Sequence, residues 1–282
     1  MNWLLFTLLS VLFVSIAGIL QKALMKDDKS NPYAYAVVFQ FLVAILNLPI
    51  AIVHGFHPPI LSDNLAFFII AAALWGGGSV FFFKALKLIE ASEVTIMSSL
   101  RVVITIAASL IFLQEAFNSL KVLGAVAILV SIFLVSNLKK GIRFNKGVTY
   151  SVILAVFSGF AIVADGFNVK NYDVISYSAI VNFLIFFILL LCNPKVLKQW
   201  RDFVQPNFLK KMLPIGVFAT VQGVAFLFAL ASGGNVSQVG TIRQASVILT
   251  VVLAAIFLNE KDNLIRKIIA AILVTFGVIL LS

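Results

Sequence analysis

Charged residues are scarce in this sequence. They make up 11% of its 282 residues, whereas hydrophobic residues make up 62%. A soluble domain carries roughly a quarter of charged residues. The low charge and the mean hydropathy of +1.10 exclude an ordinary soluble globular protein. They indicate an all-α, polytopic membrane protein, because a helix satisfies all of its backbone hydrogen bonds within the bilayer.

Cysteine and histidine are almost absent as well. The single cysteine, Cys192, excludes an intrachain disulfide, and His54 and His57 lie in one short connection. We therefore expect neither a metal site nor a cofactor. The chain also lacks the GxxxxGK[ST] phosphate-binding motif, and neither histidine lies within an apolar segment, where it could activate a nucleophile. ATP-driven transport by this chain alone and enzyme activity are both disfavoured.

Ten apolar segments, separated by polar, proline or glycine breaks, predict ten transmembrane helices. They cover residues 3–25, 32–53, 65–88, 93–114, 118–137, 147–168, 174–193, 212–231, 237–258 and 264–281. The third contains three successive glycines at 76–78, which favour close approach by another backbone or a looser helix. Ten crossings leave no room for a separate soluble domain.

The basic residues are distributed unequally between the two sides that these helices define. Most of the 21 lysines and arginines fall in the connections after helices 1, 3, 5, 7 and 9, whereas Lys121 and Lys170 fall in those after even-numbered helices. Cytoplasmic loops carry the excess of Lys and Arg. We therefore expect a multi-pass protein of the inner (plasma) membrane with both termini outside the cytoplasm. The net charge of +10 has the same origin, and no nucleic-acid partner is expected.

The sequence also repeats internally. Residues 91–115 align without gaps onto residues 236–260, at an offset of 145. Identical pairs include Ser92 and Ser237, Val94 and Val239, Val102 and Val247, Thr105 and Thr250, and Glu115 and Glu260. At an offset of 144, Phe13 matches Phe157, Ala17 matches Ala161, Lys26 matches Lys170, Tyr33 matches Tyr177, and Phe39 matches Phe183.

The repeat divides the chain into two five-helix halves, 1–137 and 147–282, joined by the basic linker 138–146. An odd number of crossings per half inserts the second half upside down relative to the first. Inverted repeats of this kind are common among secondary transporters, which bind substrate near the membrane midplane at the repeat interface.

Two related blocks carry a family resemblance. They are "FFFKALKLIEASEVTIMSSLRVVITIAASLIFLQE" at 81–115 and "LFALASGGNVSQVGTIRQASVILTVVLAAIFLNE" at 227–260. Each resembles the signature of the EamA type of the drug/metabolite transporter superfamily, in which a small-residue-rich helix ends in a glutamate step and a further helix follows. The resemblance implies ten helices around a central cavity, with export or exchange of small metabolites by alternating access. Where many relatives have a proline, this chain has Arg101, paired with Ser246.

Two arginines interrupt the apolar helices. At 1.5 Å per residue, Arg101 and Arg243 lie roughly 12 and 10 Å inside their predicted helices. Since a charge facing lipid there is unfavourable, each arginine either snorkels to the interface, pairs with a carboxylate such as Glu93 to hold helices together, or lines a polar chamber.

The repeat favours the chamber. Ser98 is equivalent to Arg243 and Ser246 is equivalent to Arg101, and residues three apart share a helix face. Both arginines therefore occupy the same face of related helices, displaced by one turn. Because guanidinium suits carboxylate or phosphate, we predict a substrate with an anionic group, such as an amino acid or another carboxylated metabolite.

Other polar residues are further candidates for this site. Gln21 and Asp165 correspond at the offset of 144. Asp165 is a candidate arginine partner, substrate-amine contact or proton-coupling group, although a plain carboxylate at a helix end explains it equally well, and Glu93 has the same alternatives. Trp75 and Gln222, in helices 3 and 8, could stack on and hydrogen-bond a substrate, or Trp75 could serve packing alone.

The repeated Glu115 and Glu260 fall where one helix gives way to the next. Interaction with local backbone and helix dipoles explains this pair better than substrate contact does.

The sequence thus predicts a secondary transporter of small metabolites. Its expected partners are a small-molecule substrate, the lipid bilayer, and a proton or counter-substrate. Two alternatives stay open: a passive channel, and a flippase for a lipid or lipid-linked anion. Monomer and homodimer are equally compatible with the sequence.

Overall fold

The chain is all-helical over the part that the computed structural model describes, namely residues 2–26, 31–57, 61–113, 119–135, 145–199, 203, 205–232, 239 and 242–281. No strand occurs within these ranges. Six helices within them are long and apolar enough to cross a membrane: Trp3–Met25, Pro32–His54, Leu65–Leu88, Lys146–Val169, Val174–Cys192 and Pro206–Ala229. Shorter apolar helices accompany them. The predicted all-helical, polytopic class is confirmed.

In chain order the helices are α1 (Asn2–Met25), α2 (Pro32–His54), α3 (Leu61–Leu88), α4 (Ala91–Ser98), α5 (Leu100–Leu113), α6 (Ser119–Val135), α7 (Lys146–Asn171), α8 (Val174–Cys192), α9 (Pro206–Ala231), α10 (Ala245–Phe257) and α11 (Leu264–Leu281). A 3₁₀ helix, Pro194–Gln199, follows α8. Most of the predicted linker 138–146 lies outside the described residues. Its last residue, Lys146, already begins α7, with Asn145 accepting a hydrogen bond from a backbone N–H of the first turn.

Two predicted spans are interrupted instead of continuous. The expected helix 93–114 is divided at Ser99 into α4 and α5, and a turn at Gln244 separates helical residues 242–243 from α10. Each interruption is a tight 3₁₀-type turn, closed from Val102 N to Ser99 O at 3.0 Å and from Val247 N to Gln244 O at 2.9 Å. Ser99 and Gln244 correspond at the offset of 145. Because neither is Gly or Pro, composition gave no signal, and the prediction of continuous helices was wrong here.

The packing of the helices follows the repeat. α3 packs along α7, and α1 packs along α9. In the repeat, α1 is equivalent to α7 and α3 is equivalent to α9. The two helix pairs are therefore equivalent to each other. α2 packs against α8, and α6 packs against α11, so each of these contacts joins a helix to its own counterpart.

Glycines set the closest of these helix contacts. A Cβ at Gly77 of α3 would lie 2.4 Å from the ring of Phe157 in α7. A Cβ at Gly277 of α11 would lie 2.7 Å from the backbone oxygen of Gly124 in α6. The glycine run at 76–78 therefore allows the close helix approach that its composition suggested.

The outer surface is apolar while polar side chains are buried. Val53 and Leu191 are 88% and 80% exposed, whereas Gln21 and Gln40 are 5% and 7% exposed. In water this distribution would be unfavourable. In a bilayer it is expected, since the lipid tails solvate the outer surface and the polar groups find partners inside.

At one end of the molecule, lysines are buried against backbone and carboxylate oxygens. Lys22 of α1 donates to the carbonyl oxygens of Leu86 and Ile89, at 2.7 Å each, and so satisfies the last turn of α3. Lys267 of α11, which is 3% exposed, forms an ion pair with Glu90. These contacts tie α1, α3 and α11 together.

Glu260 completes this arrangement from the connection between α10 and α11. Its carboxylate accepts hydrogen bonds from the backbone N–H groups of Ala91 and Ser92 and from the Ser92 hydroxyl, at 3.2 to 3.3 Å. Interaction with local backbone and helix dipoles was expected, but the backbone that Glu260 binds is the N-terminus of α4, far away along the chain. The repeat partner Glu115 lies outside the described residues. We call the whole group the end cluster: Lys22, Lys26, Glu90, Glu93, Glu260 and Lys267.

Candidate functional site

A cavity of about 300 Å³ lies between the two halves. Residues of α1, α2, α3, α4, α5, α7, α8, α9 and α10 line it, whereas α6 and α11 contribute none of the described lining residues. All eight residues that the sequence suggested as substrate contacts line this cavity: Gln21, Trp75, Ser98, Arg101, Asp165, Gln222, Arg243 and Ser246. Long-range packing has thus brought the predicted candidates to one place.

Arg243 is held by two neighbours on α9. Its Nη2 donates to Gln222 Oε1 at 2.6 Å, and its guanidinium carbon lies 4.2 Å from the centre of the Phe226 ring. Gln222 and Phe226 are four apart and therefore share a helix face. The hydrogen bond and the cation–π contact fix the guanidinium in the cavity wall without neutralising its charge.

Arg101 is far less satisfied. It lies in the first turn of α5, directly after the break at Ser99, and its Nη2 has only a long contact of 3.4 Å to Ser98 Oγ. Its buried Nε–H has no hydrogen-bond partner among the described residues. Leaving a buried donor unpaired costs about 1–3 kcal/mol, so Arg101 has unused capacity to bind an anionic group.

Asp165 faces the cavity from α7 with a hydrogen bond to each carboxylate oxygen. Trp75 Nε1 donates to Oδ2 at 2.9 Å, and the Tyr177 hydroxyl donates to Oδ1 at 2.5 Å. Asn168 Nδ2 contacts the Tyr177 oxygen at 3.5 Å. Trp75 therefore has a polar role beyond packing, and Asp165 is a buried, oriented carboxylate instead of a solvated helix end.

Sequence reasoning missed Tyr177 as a site residue. It noted this tyrosine only as a repeat match to Tyr33, although a hydroxyl within an apolar helix was itself a signal. The same signal marks three amides that line the cavity and were not singled out: Gln40, Asn47 and Asn182. Ser178 Oγ donates to Asn47 Oδ1 at 3.3 Å, linking α8 to α2.

The two serines of the repeat take similar local roles. Ser98 Oγ donates to the Thr95 carbonyl at 3.1 Å. The backbone oxygen of Ser246 accepts from Ser15 Oγ at 3.3 Å, which connects α10 to α1. Both serines stand beside the breaks in their helices, where they line the cavity.

Glu93 is placed differently from the other candidates. Its carboxylate accepts a hydrogen bond from the Glu90 backbone N–H at 3.4 Å and belongs to the end cluster. It is not among the lining residues of the cavity. The observed hydrogen bonds of Arg101 and Arg243 go to Ser98 and Gln222 instead of to Glu93. Among the described residues, no group of three or more His, Cys, Asp or Glu could hold a metal ion.

Comparisons with known proteins identify the fold and the family. The sequence model of the EamA-like transporter family matches residues 1–137 and 145–282. A solved structure described only as "Crystal structure of protein" has a TM-score of 0.67 and 14% identity, covering 99% of this chain and 95% of that one. At that identity the likeness shows a common fold alone. No protein with a curated description matches the chain.

The family match spans nearly the whole chain and agrees with the apolar outer surface and the cavity that contains buried charged groups. The chain belongs to the EamA-like transporter family of the drug/metabolite transporter superfamily, and it is a multi-pass membrane transporter of small molecules, not an enzyme.

Proposed function

We propose that the protein is a secondary transporter that exports or exchanges small carboxylate-bearing metabolites, amino acids among them, by alternating access. The observation that carries the proposal is that Arg101, Arg243 and Asp165 line one cavity. Charges in the membrane interior mark substrate or ion pathways, because only function offsets their burial.

The proposed architecture is ten crossings in two inverted halves, 1–137 and 147–282, joined by the linker 138–146. The exchange of helix pairs between the halves supports it, and so do the breaks at Ser99 and Gln244. Both residues keep right-handed helical backbone angles, so each break is a local tightening of the helix beside the cavity. The two halves would rock around the cavity to expose it alternately on each side.

Within the cavity, Arg101 and Arg243 would bind the anionic group, assisted by the neighbouring Ser98 and Ser246. Gln21 and Gln222 would hydrogen-bond polar groups of the substrate, with Trp75 positioned beside Asp165. In this scheme the roles differ by charge: guanidinium selects the carboxylate, and the neutral groups select the remainder of the molecule.

Uptake into proteoliposomes tests this proposal. Arg101→Ala and Arg243→Ala should each strongly reduce transport of the carboxylate substrate, because each removes a cation from the cavity. Lys84→Ala is the matched control, since Lys84 stacks on the rings of Phe81 and Tyr150 and does not line the cavity. Transport that persists in both arginine variants at normal reconstitution would overturn the proposal.

The driving force distinguishes a secondary transporter from a passive channel, and the substrate distinguishes it from a flippase. A carrier accumulates substrate uphill when a proton gradient or a counter-substrate is supplied, whereas a passive channel only equilibrates it. A flippase would act on a lipid or lipid-linked anion, and its turnover would depend on the lipid headgroup.

For proton coupling we propose Asp165, with Glu93 as the alternative. Asp165→Asn should remove the response to a pH gradient but leave counterflow exchange, which needs no net proton movement. The same outcome for Glu93→Gln, with normal behaviour of Asp165→Asn, would move the coupling to the end cluster.

The orientation of the chain is a separate prediction. The excess of basic residues on one side predicts that both termini lie outside the cytoplasm. A C-terminal alkaline phosphatase fusion, which requires an oxidising compartment, should therefore be active and a C-terminal fluorescent fusion dark. The reverse pattern would contradict the predicted orientation.

A further inference from the structure

The charges that line the cavity do not balance. Resting on the proposed transport function, we infer that the substrate carries a net negative charge, with its carboxylate at Arg101, and is not a net-neutral zwitterion. Acidic amino acids and hydroxy or keto acids belong to this class, whereas neutral amino acids do not.

A census of the cavity supports this inference. The charged residues among the described lining residues are Arg101, Arg243 and Asp165, so two cations face one anion. Arg101 and Asp165 act on the charge of Arg243 with opposite sign. The three side chains together leave one net positive charge in the cavity, and Arg101 is the guanidinium with the weaker contacts among the described residues.

The surrounding charges do not supply the missing anion. The end cluster contains three lysines and three glutamates and is neutral by itself. Its carboxylates are already engaged: Glu260 with the N-terminus of α4, and Glu90 with Lys267. Within the described part of the chain, no further carboxylate lines the cavity to compensate Arg101.

Among the described lining residues the cavity offers an ammonium group one carboxylate, Asp165, and that charge already faces two guanidinium groups. Both oxygens of Asp165 already accept hydrogen bonds, from Trp75 and Tyr177. The remaining polar lining consists of neutral amides and hydroxyls such as Gln21, Gln40 and Thr220, whose dipoles solvate a substrate without selecting a positive charge. A zwitterion would bring a carboxylate for Arg101 together with an ammonium that the cavity does not neutralise.

Arg101 also has the geometry for the anionic group. It is the cavity cation with an unpartnered buried donor, and the Ser98 hydroxyl lies beside it at 3.4 Å. A carboxylate bound there would accept charge-assisted hydrogen bonds from the guanidinium fork, while the Ser98 hydroxyl keeps its donation to the Thr95 carbonyl. Arg243 is more constrained, because one of its N–H groups donates to Gln222 and its guanidinium lies over the Phe226 ring, so Arg101 is the principal contact of the carboxylate.

Matched pairs of an acid and its amide test the inference in proteoliposomes. The probes are glutamate with glutamine and aspartate with asparagine, so that each pair sets a net anion against a net-neutral zwitterion. Members of a pair have nearly the same size and differ by one unit of charge. Because a hydrogen-bonded charge contributes about 1.5–3 kcal/mol, we expect the acid to be preferred by about tenfold or more in kcat/KM for any transported pair.

Substitutions at Arg101 test whether this residue causes the preference for the acid over its amide. Arg101→Gln should bring the acid-to-amide ratio close to one, because it cancels the leftover charge. Arg101→Lys should keep the preference for the acid with weaker binding, since it keeps the charge and loses the fork. Lys84→Gln removes a positive charge outside the cavity and should leave the ratio unchanged. Thermal stabilisation of the purified variants by each probe gives a second readout independent of turnover.

The outcomes distinguish this inference from the proposed function. Equal transport of acid and amide by the wild type, or a ratio unchanged in Arg101→Gln, overturns the net-anion inference and leaves the transporter proposal standing. Transport of neutral or cationic metabolites with no response to any acid overturns the carboxylate specificity as a whole. A wild-type preference for acids that Arg101→Gln abolishes and Lys84→Gln preserves supports both.

Discussion

A hydrogen bond to the ionised carboxylate of Asp165 is stronger than a hydrogen bond between two neutral groups. Tyr177 donates its hydroxyl to a buried carboxylate, whereas Tyr33 donates its hydroxyl to the backbone oxygen of Leu189, at 2.6 Å. Hydrogen bonds with an ionised partner are roughly twice as strong as neutral ones. The two tyrosines are equivalent positions of the repeat, but their hydrogen bonds contribute unequally to stability because their acceptors differ.

Tyr177→Phe should therefore destabilise the protein more than Tyr33→Phe. We expect losses of about 1.5–3 and about 0.5–1.5 kcal/mol, measured as midpoint shifts in thermal unfolding of detergent-solubilised protein. Equal shifts for the two variants would contradict an ionised, buried Asp165.

Asp173, in the connection between α7 and α8, is a residue whose contribution depends on pH. It caps α8 by accepting from Ser176 N at 2.8 Å, and its Oδ1 lies 3.3 Å from His54 Nε2. Burial raises the pKa of Asp173, but the hydrogen bonds from Ser176 and the proximity of His54 outweigh this effect. Its pKa consequently lies below the ordinary value.

A lowered folded-state pKa gives stability that is present above the unfolded-state pKa, about 3.9, and is lost as the pH falls through the folded-state pKa. Asp173→Ala should cost about 1 kcal/mol at neutral pH, with the difference shrinking in acid. Asp173→Asn, which retains a capping oxygen, should lose less. A deficit for Asp173→Ala that is independent of pH would argue against this account.

At the scale of helices, the contact between α6 and α11 depends on backbone approach. Gly277 faces the Gly124 oxygen so closely that a Cβ would fall at 2.7 Å. Backbone atoms cannot move aside as a flexible side chain can. The two helices would have to separate, and their packing would loosen along the whole contact.

Gly277→Ala should consequently destabilise the protein by about 1–3 kcal/mol through overpacking. Gly166→Ala is the matched control, because no atom lies within 4 Å of its added Cβ. That variant should gain about 0.5–1 kcal/mol from helix propensity. Thermal unfolding of both variants measures the contrast, and a Gly277→Ala protein as stable as the wild type would refute the close contact.

The breaks at Ser99 and Gln244 are also features of individual helices. Helix positions were predictable because apolar runs of sufficient length have few alternatives in a bilayer. The breaks were not, since Leu, Val, Ser and Gln around them are compatible with a continuous helix. Their location follows from what packs against them in three dimensions.

For the whole molecule, the end cluster holds the two halves together on one side of the cavity. Glu260 from the second half binds the N-terminus of α4 in the first, and Lys267 binds Glu90. Alternating access requires these contacts to separate when the cavity opens at that end. Their strength therefore sets the balance between the two proposed orientations.

Glu260→Gln should shift that balance toward opening at this end, because it removes the charge that the α4 N-terminus binds. In a Cys192→Ser background, a cysteine at the cavity-lining Thr95 should react faster with an impermeant maleimide added from this side. Lys261→Gln, an exposed neighbouring substitution, should leave the labelling rate unchanged. Identical rates in both variants would show that Glu260 does not hold this end closed.

The sequence by itself determined the class of the protein, most of the helix positions and eight of the residues that line the cavity. Hydropathy and the spacing of the repeat are local properties, and the bilayer leaves an apolar segment little choice but a helix. The displacement of Arg101 and Arg243 by one turn was likewise visible from the alignment of the two halves.

Only the tertiary structure decided how those residues differ. Asp165 accepts hydrogen bonds from Trp75 and Tyr177, and Arg243 donates to Gln222. The Nε–H of Arg101, in contrast, has no acceptor within the described part of the chain. Partners so distant along the chain depend on helix packing that no local pattern encodes. Since electrostatic balance is a sum over groups brought together by that packing, the net charge of the cavity exists only in the folded protein.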